Sequence, residues 1–114
     1  MSRRATAGLA DAAPLFAALG DPARLQIVSR LCREGPLSIS RLAEGAHISR
    51  QAVTKHLNAL SAAGLIESER SGRECIYELQ PRRLAEIKRH VEAISAQWDD
   101  AVERLRRMVE SQAR

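Results

Sequence analysis

The final quarter of this sequence carries an apolar repeat that a chain of 114 residues has little means of burying within itself. Apolar side chains recur there at alternating steps of three and four, at Leu84, Ile87, Val91, Ile94, Trp98, Ala101, Leu105 and Met108. This heptad spacing predicts one long helix over 81–110, and a seam sustained for so long is typical of a helix that pairs with another helix. We therefore expect a homodimer with an interface formed by Leu84, Ile87, Val91, Ile94, Trp98, Ala101 and Leu105. The alternative is that the helix packs along its own domain.

The composition indicates one folded domain with a mainly aliphatic core. Hydrophobic residues make up 45% of the chain, but only Phe16, Tyr77 and Trp98 are aromatic. No apolar run is long enough to span a bilayer, and the N-terminus lacks the apolar core of a signal peptide, so we expect a cytoplasmic protein. The net charge of +4 favours an anionic partner.

Two helices are predicted before the central segment. An apolar stripe marks the first over 8–19, after a flexible basic tail over 1–7. Asp21 and Pro22 form a strong start for the second, because aspartate caps free N–H groups and proline is tolerated at the first helical position. The apolar positions of that second helix are Leu25, Ile27, Val28, Leu31 and Cys32.

The central segment, 36–80, reads as a short helix, a tight turn, a second helix and a two-stranded hairpin. Ser38 is expected to cap the short helix, and Ser49 the helix over 50–63. Between them His47 occupies a turn position where a left-handed backbone is often needed, which histidine tolerates. Alternation predicts strands over 66–70 and 74–79, with a turn at Ser71-Gly72.

This order is that of a winged helix-turn-helix, in which one helix enters the DNA major groove. The predicted fold class is mainly α with a small β-hairpin wing (α+β). The winged helix-turn-helix would occupy 8–80, with the wing over 66–80. The long C-terminal dimerisation helix over 81–110 would belong to the same single domain.

Polar side chains on the outward face of helix 50–63 match what DNA offers. Arginine and lysine donate to guanine, glutamine and asparagine bond adenine, and threonine suits phosphate or a thymine methyl. Two arginines flank the hairpin tip, where a wing would meet DNA. The predicted DNA-binding residues are Ser49, Arg50, Gln51, Thr54, Lys55, Asn58, Arg70 and Arg73. The alternatives are an ordinary solvated helix face and an ion pair between Arg73 and Glu74.

The segments DPARLQIVSRL and LAEGAHISRQAVTKHLNALSAAGLIESERSGRECIYEL resemble the ArsR-type family of small bacterial winged-helix repressors. The resemblance covers roughly residues 12–108. It implies a homodimer joined by the first and last helices, which binds an imperfect inverted repeat in double-stranded DNA and occludes a promoter. The alternative function is a winged-helix module that binds protein without specific DNA binding.

The same resemblance directs attention to the sensor sites of metal-released relatives. Their thiolate site requires a Cys-x-Cys-type motif, and the matching stretch 36–40 contains no cysteine. The other arrangement uses the last helix, where this chain offers an imperfect set: His90, Glu92, Asp99, Asp100 and Glu103. We therefore expect no metal and no cofactor, and the chain resembles relatives that lack both metal patterns.

The sequence predicts neither a redox role for the cysteines nor catalysis, and it does not identify an inducer. Cys32 is expected to be buried and inert on an apolar helix face, and Cys75 lies in the hairpin, so a redox pair is not expected. The sequence shows no phosphate loop, nucleophile elbow or paired-carboxylate pocket, which argues against an enzyme. The inducer, the operator sequence and the target genes stay open.

Overall fold

The computed structural model describes residues 3–113, with side chains described over 8–112. Five helices and three short strands follow one another as α1 (Arg3–Leu19), α2 (Pro22–Glu34), β1 (Leu37–Ser38), α3 (Ile39–Glu44), α4 (Arg50–Ala62), β2 (Ile66–Ser71), β3 (Glu74–Leu79) and α5 (Pro81–Ala113). The mainly helical fold with a small β wing is therefore confirmed.

Local capping chemistry explains where α2 and α3 begin. Asp21 caps α2, accepting hydrogen bonds from the backbone amides of Ala23 at 2.8 Å and Arg24 at 3.2 Å. Ser38 caps α3 through the amide of Arg41, at 3.2 Å. Each cap satisfies N–H groups that have no partner inside the helix. These starts agree with the sequence prediction.

The start of the first helix and the central turn differ from the prediction. Helix α1 begins at Arg3, so it includes most of the stretch predicted as a flexible tail, while residues 1 and 2 lie outside the described residues. The left-handed backbone expected at His47 is wrong, because positive φ angles in the described part of the chain occur only at glycines. The turn extends from Gly45 to Ser49, and five residues reverse the chain without a left-handed side-chain-bearing residue.

The sheet contains one strand that sequence patterns did not predict. Its order is β1-β3-β2, and β1 adds two residues that pair antiparallel with β3, Leu37 with Tyr77 and Ser38 with Ile76. A two-residue strand has no detectable alternation, since the period of a strand is itself two residues. This pairing joins the residues directly before α3 to strand β3 of the wing.

One aliphatic core joins the helices to the base of the wing. Its fully buried side chains are Leu15, Val53, Leu57, Leu60, Leu65 and Ile66. Helix α2 contributes Ile27, Val28 and Leu31. Leu25 was predicted to belong to this face, but it is half exposed because the buried stripe of α2 runs through 27, 28 and 31 instead.

Helix α5 changes character along its length. Leu84 and Ile87, both predicted interface residues, pack against the chain's own core, and the ring of His90 lies beside Gly8 of α1. Beyond residue 90 the helix leaves the core. The radius of gyration is therefore 19.2 Å, against about 13 Å for a compact domain of this length, and the longest dimension is 71 Å.

The cap of α2 gives a pH-dependent prediction. The hydrogen bond from the Arg24 amide, with help from that of Ala23 and from nearby His56, holds the pKa of Asp21 below its ordinary value of 3.8. A lowered pKa means that the charged cap stabilises the fold above that value and loses its effect as the pH falls through the lower native pKa. Asparagine caps equally well without the charge. We expect wild type to exceed Asp21→Asn in unfolding free energy near neutral pH, and the difference to shrink below pH 3.8.

Urea unfolding of both proteins, from neutral pH down to about pH 2.5, measures this difference. Asp11→Asn, at an exposed position on α1, is the matched control. A constant difference between wild type and Asp21→Asn across the series would contradict the assignment of a charged cap.

Candidate nucleic-acid interface

Helix α4 is divided into a fully buried face and an outward polar face. Val53, Leu57 and Leu60 have no exposed surface and anchor the helix in the core. The opposite positions, Arg50, Gln51, Lys55 and Asn58, are exposed. A helix held in this way presents its polar side as one rigid surface, which is the arrangement that a major-groove helix needs.

The first turn of α4 also presents backbone donors. Ser49 Oγ accepts a hydrogen bond from the Ala52 amide at 3.1 Å, and the Ser49 carbonyl accepts one from Val53 at 3.0 Å. Within residues 8–112, no protein acceptor engages the amides of Arg50 and Gln51. Free amides at a helix N-terminus, reinforced by the helix dipole, attract phosphate.

Thr54 is placed differently from its neighbours. It is half-buried, and its hydroxyl donates a hydrogen bond to the Arg50 carbonyl at 3.0 Å. Phosphate oxygens only accept hydrogen bonds, so this hydroxyl has no proton to offer them while the internal bond lasts. Of the two roles predicted for Thr54, contact between its methyl group and a thymine methyl is the one consistent with this geometry.

The hairpin of β2 and β3 places two arginines at its tip. Gly72 has φ of 63° at the first of two loop positions, the conformation of a tight hairpin turn that glycine adopts without strain. Arg70 and Arg73 are both exposed on either side of it. In the part of the chain that the structure describes, neither is within 4.0 Å of a carboxylate, so the alternative ion pair between Arg73 and Glu74 is not formed.

Six other lysine and arginine side chains in the described range form internal ion pairs, whereas Arg24, Arg33, Arg82, Arg89 and Arg104 form none. Arg30 contacts Glu34 at 2.8 Å, and Arg83 contacts Glu86 at 3.2 Å. Five further contacts hold cationic side chains on α3 and α5, namely those of Arg41, Lys88, Arg106 and Arg107. By contrast, the cations of α4 and of the wing tip, Arg50, Lys55, Arg70 and Arg73, have no such partner among residues 8–112. Their charge is therefore available to an anionic ligand.

The wing has one acidic face. Strand alternation and the cross-strand register place Glu67, Glu69, Glu74 and Glu78 on the side of the hairpin that faces away from the core. Glu67 and Glu78 lie directly opposite each other, a like-charge pairing that destabilises a sheet. Arg70 lies on the other face, opposite Cys75. A polyanion is therefore expected to meet the wing at its tip and basic side, and to be repelled from the glutamate side.

The residues considered for sensing do not converge. No three histidine, cysteine, aspartate or glutamate side chains in the described range lie close enough to hold a metal ion together. His56 lies with its Nδ1 3.9 Å from the Asp21 carboxylate, beside the cap of α2. Cys32 was predicted to be buried, and this is wrong: it is exposed, because Val28 and Leu31 carry the contact with the core and Cys32 is rotated away from them. Cys75 is half-buried in the wing.

Fold and surface together define a winged helix-turn-helix protein, and comparison with known proteins gives its family. A family model described as a helix-turn-helix domain matches residues 19–69. A solved structure of an ArsR-like transcriptional regulator from Rhodococcus sp. RHA1 is 41% identical, with a TM-score of 0.73 over 88% of this chain and 93% of that one. The chain belongs to the ArsR-type family of transcriptional regulators.

Two further relatives add detail. The transcriptional repressor SmtB of Mycobacterium tuberculosis is 37% identical over 80% of this chain, which spans 65% of that repressor's length. A homodimeric winged helix-turn-helix DNA-binding domain from Mycobacterium bovis, a possible ArsR-family regulator, is 26% identical over 85% of this chain and 89% of that one, with a TM-score of 0.65. None of the helices between Arg3 and Ala113 combines the length and hydropathy needed to cross a membrane.

The capping geometry predicts that Ser49 stabilises α4. Replacing a serine N-cap by alanine costs about 1 kcal/mol, because the Ala52 amide loses its acceptor. We expect Ser49→Ala to lower the unfolding free energy by about that amount in urea titrations. Ser61→Ala, at an exposed position on the same helix, should change it much less. Equal losses in the two variants would contradict the assigned cap.

Proposed function

We propose that the protein is a homodimeric, sequence-specific DNA-binding repressor. The observation that carries this proposal is the rigid outward face of α4, whose cations have no ion-pair partner among residues 8–112 while its apolar face is fully buried. In this role α4 enters the major groove, and Arg50 and Gln51 at its N-terminal end contact base edges. Lys55 and Asn58 extend the same surface one and two turns further along.

The wing tip supplies the second contact region. Arg70 and Arg73 reach the phosphate backbone or the minor groove beside the site of α4, while the glutamate face of the wing turns away from the DNA. Ser49 contributes mainly by capping α4, with its hydroxyl proton still available to a phosphate oxygen. The names of the relatives as repressors and regulators support this assignment.

A homodimer supplies two such surfaces. The exposed apolar seam of α5 is the surface that a second copy would cover, and the homodimeric relative from M. bovis supports this assembly. A twofold axis then places two α4 helices in successive major grooves, about 34 Å apart, which requires an inverted-repeat operator. This role implies a cytoplasmic, non-enzymatic protein, and it invokes no metal or cofactor. No inducer is assigned.

Base contacts and phosphate contacts are expected to respond differently to substitution. Arg50→Ala and Gln51→Ala should weaken binding to the operator about 10-fold or more but leave binding to unrelated DNA nearly unchanged, because each base contact is worth about 1–3 kcal/mol. Arg70→Ala and Arg73→Ala should weaken both and reduce the dependence of affinity on salt.

Fluorescence anisotropy over a salt series, with promoter DNA from the protein's own gene region and a scrambled duplex, measures both effects. Arg107→Ala removes the same charge from the distal part of α5 and is the control. If wild type shows no preference for any promoter duplex even at low salt, the proposed function is wrong, and a winged-helix module that binds protein becomes the better explanation.

The α5 seam predicts the assembly state. Trp98→Glu places a charge in the proposed interface and should convert the dimer to monomer at micromolar concentration, because an unpaired charge in an apolar interface costs several kcal/mol. Ala96→Glu introduces the same residue on the outer face of the helix and should leave the dimer intact. Sedimentation velocity measures the mass, and far-UV circular dichroism confirms that both variants are helical. A dimeric Trp98→Glu would contradict this interface.

A further inference from the structure

A cavity of about 100 Å³ opens between α2 and the turn that leads into α4. The floor of this α2–turn cavity is formed by Ile27, Leu42 and Val53, all of which are buried. Its rim contains polar side chains that are partly or fully exposed, those of Gln26, Arg30 and His47. A concave apolar surface with a few polar groups at its edge is typical of a small-molecule site.

We propose that the α2–turn cavity binds a short branched aliphatic carboxylate, with the alkyl chain of the ligand on the apolar floor and its carboxylate on Arg30. All the lining residues belong to α2, α3, the turn and α4 of one protomer. The site is therefore complete in a single chain, and it depends neither on the homodimer nor on DNA. Isovalerate has the proposed chemistry and serves as the probe.

The guanidinium of Arg30 is held in place but keeps free donors. Its Nε donates a hydrogen bond to Glu34 Oε2 at 2.8 Å, and its Nη1 donates one to the Leu42 carbonyl at 3.4 Å. It also lies directly against Gly45, where an added Cβ would be 3.0 Å from the Arg30 Cζ. Among residues 8–112, Nη2 makes no hydrogen bond with the protein. Because a guanidinium donates from all three nitrogens, Nη2 can donate to a ligand carboxylate.

The charge at the rim favours an anion. Glu34 does not fully neutralise Arg30, because its other oxygen lies 4.0 Å from Nη2 of Arg41, so two cations share one carboxylate. Glu44, which precedes Gly45 in the chain, is exposed and forms no ion pair with Arg30. The Arg30 side chain is only 20% exposed, and a partly desolvated cation binds an anion more strongly than one in water.

The size and the apolar floor of the cavity restrict the rest of the ligand. An apolar cavity of about 150 Å³ accepts a benzene ring. A cavity of about 100 Å³ therefore fits a smaller group, such as a branched alkyl chain. Inorganic phosphate could pair with Arg30 but would leave the apolar floor uncovered. An alcohol with the same alkyl chain would cover the floor without engaging the cation, so only a ligand with both parts uses the whole site.

The position of the cavity also predicts which residues respond to a ligand. One wall is formed by residues 45–48 of the turn, and Val53 near the start of α4 lies in the floor. On the opposite side the wall is formed by α2, through Ala23 and Ile27. A bound ligand therefore contacts both α2 and the segment that supports the first turn of α4.

Heteronuclear NMR titration of the full chain tests the site. Isovalerate should cause saturable amide shifts that cluster in residues 23–30 and 42–53. Acetate lacks the branched chain, isopentanol lacks the charge, and inorganic phosphate lacks any apolar part. Each should bind about 10-fold more weakly or less tightly still, because apolar burial and a charged hydrogen bond each contribute about that factor or more.

Two variants, each with a matched control, locate the binding. Arg30→Met keeps a long side chain without the cation and should weaken isovalerate binding about 10-fold. Arg33→Met removes the same charge from an exposed position on the same helix and should leave binding unchanged. Ala23→Leu fills the cavity with a good helix former and should abolish binding, which keeps the test decisive if Arg30→Met does not fold. Ala62→Leu, at an exposed position on α4, is its control.

The outcomes are independent of the proposed repressor function, which operator anisotropy measures separately. Saturable binding of isovalerate that is lost in Ala23→Leu and weakened in Arg30→Met is the expected result. The site would be overturned by a wild type without saturable shifts, by equal affinity for phosphate and isovalerate, or by unchanged binding in Ala23→Leu. Unchanged affinity in a folded Arg30→Met would overturn the assigned contact with the carboxylate.

Discussion

The burial of Val53, Leu57 and Leu60 of α4 is the interaction on which the rest of the structure depends. These side chains have no exposed surface and join α4 to the core that α1, α2 and the base of the wing also enter. Because one face of the helix is fixed, the outward face has a defined direction, and its side chains need little further ordering when they meet a ligand. Such preorganisation reduces the entropic cost of binding.

The cations of the same surface are not engaged by carboxylates of the described residues. Glutamates on α2 and α5 hold some cations of α2, α3 and α5 in internal pairs, and in the described range the cations of α4 and of the wing tip have no such partner. Exposed pairs of this kind contribute at most about 1 kcal/mol each to stability, so their effect is chiefly on the surface potential. Glu67 and Glu78 lie opposite each other on the acidic side of the wing, and in the proposed complex this side would repel a polyanion and direct it to the other face.

The sequence predicted those features that depend on a few neighbouring residues. Capping by Asp21, Ser38 and Ser49 is local chemistry, and the buried face of α4 follows from its 3.6-residue period. The features that were missed depend on contacts between distant segments. Strand β1 exists only because β3 passes beside it, and the exposure of Cys32 and Leu25 reflects the rotation at which α2 docks. The seam of α5 was visible in the sequence, but the packing of Leu84 and Ile87 on the chain's own core was not.

In the proposed homodimer, the length of α5 would couple assembly to DNA recognition. One protomer presents one α4 and one wing tip, and such a single contact is weak and shared with unrelated DNA. When two protomers are joined rigidly, the second contact is made at high effective concentration, so the affinity for two correctly spaced half-sites rises far above that for one. This gain in affinity requires the dimer. It is therefore available only at protein concentrations at which the exposed apolar seam of α5 is buried against a second copy. Occupancy of an operator would therefore depend on protein concentration more steeply than binding by a monomer allows, and this steepness requires no bound ligand.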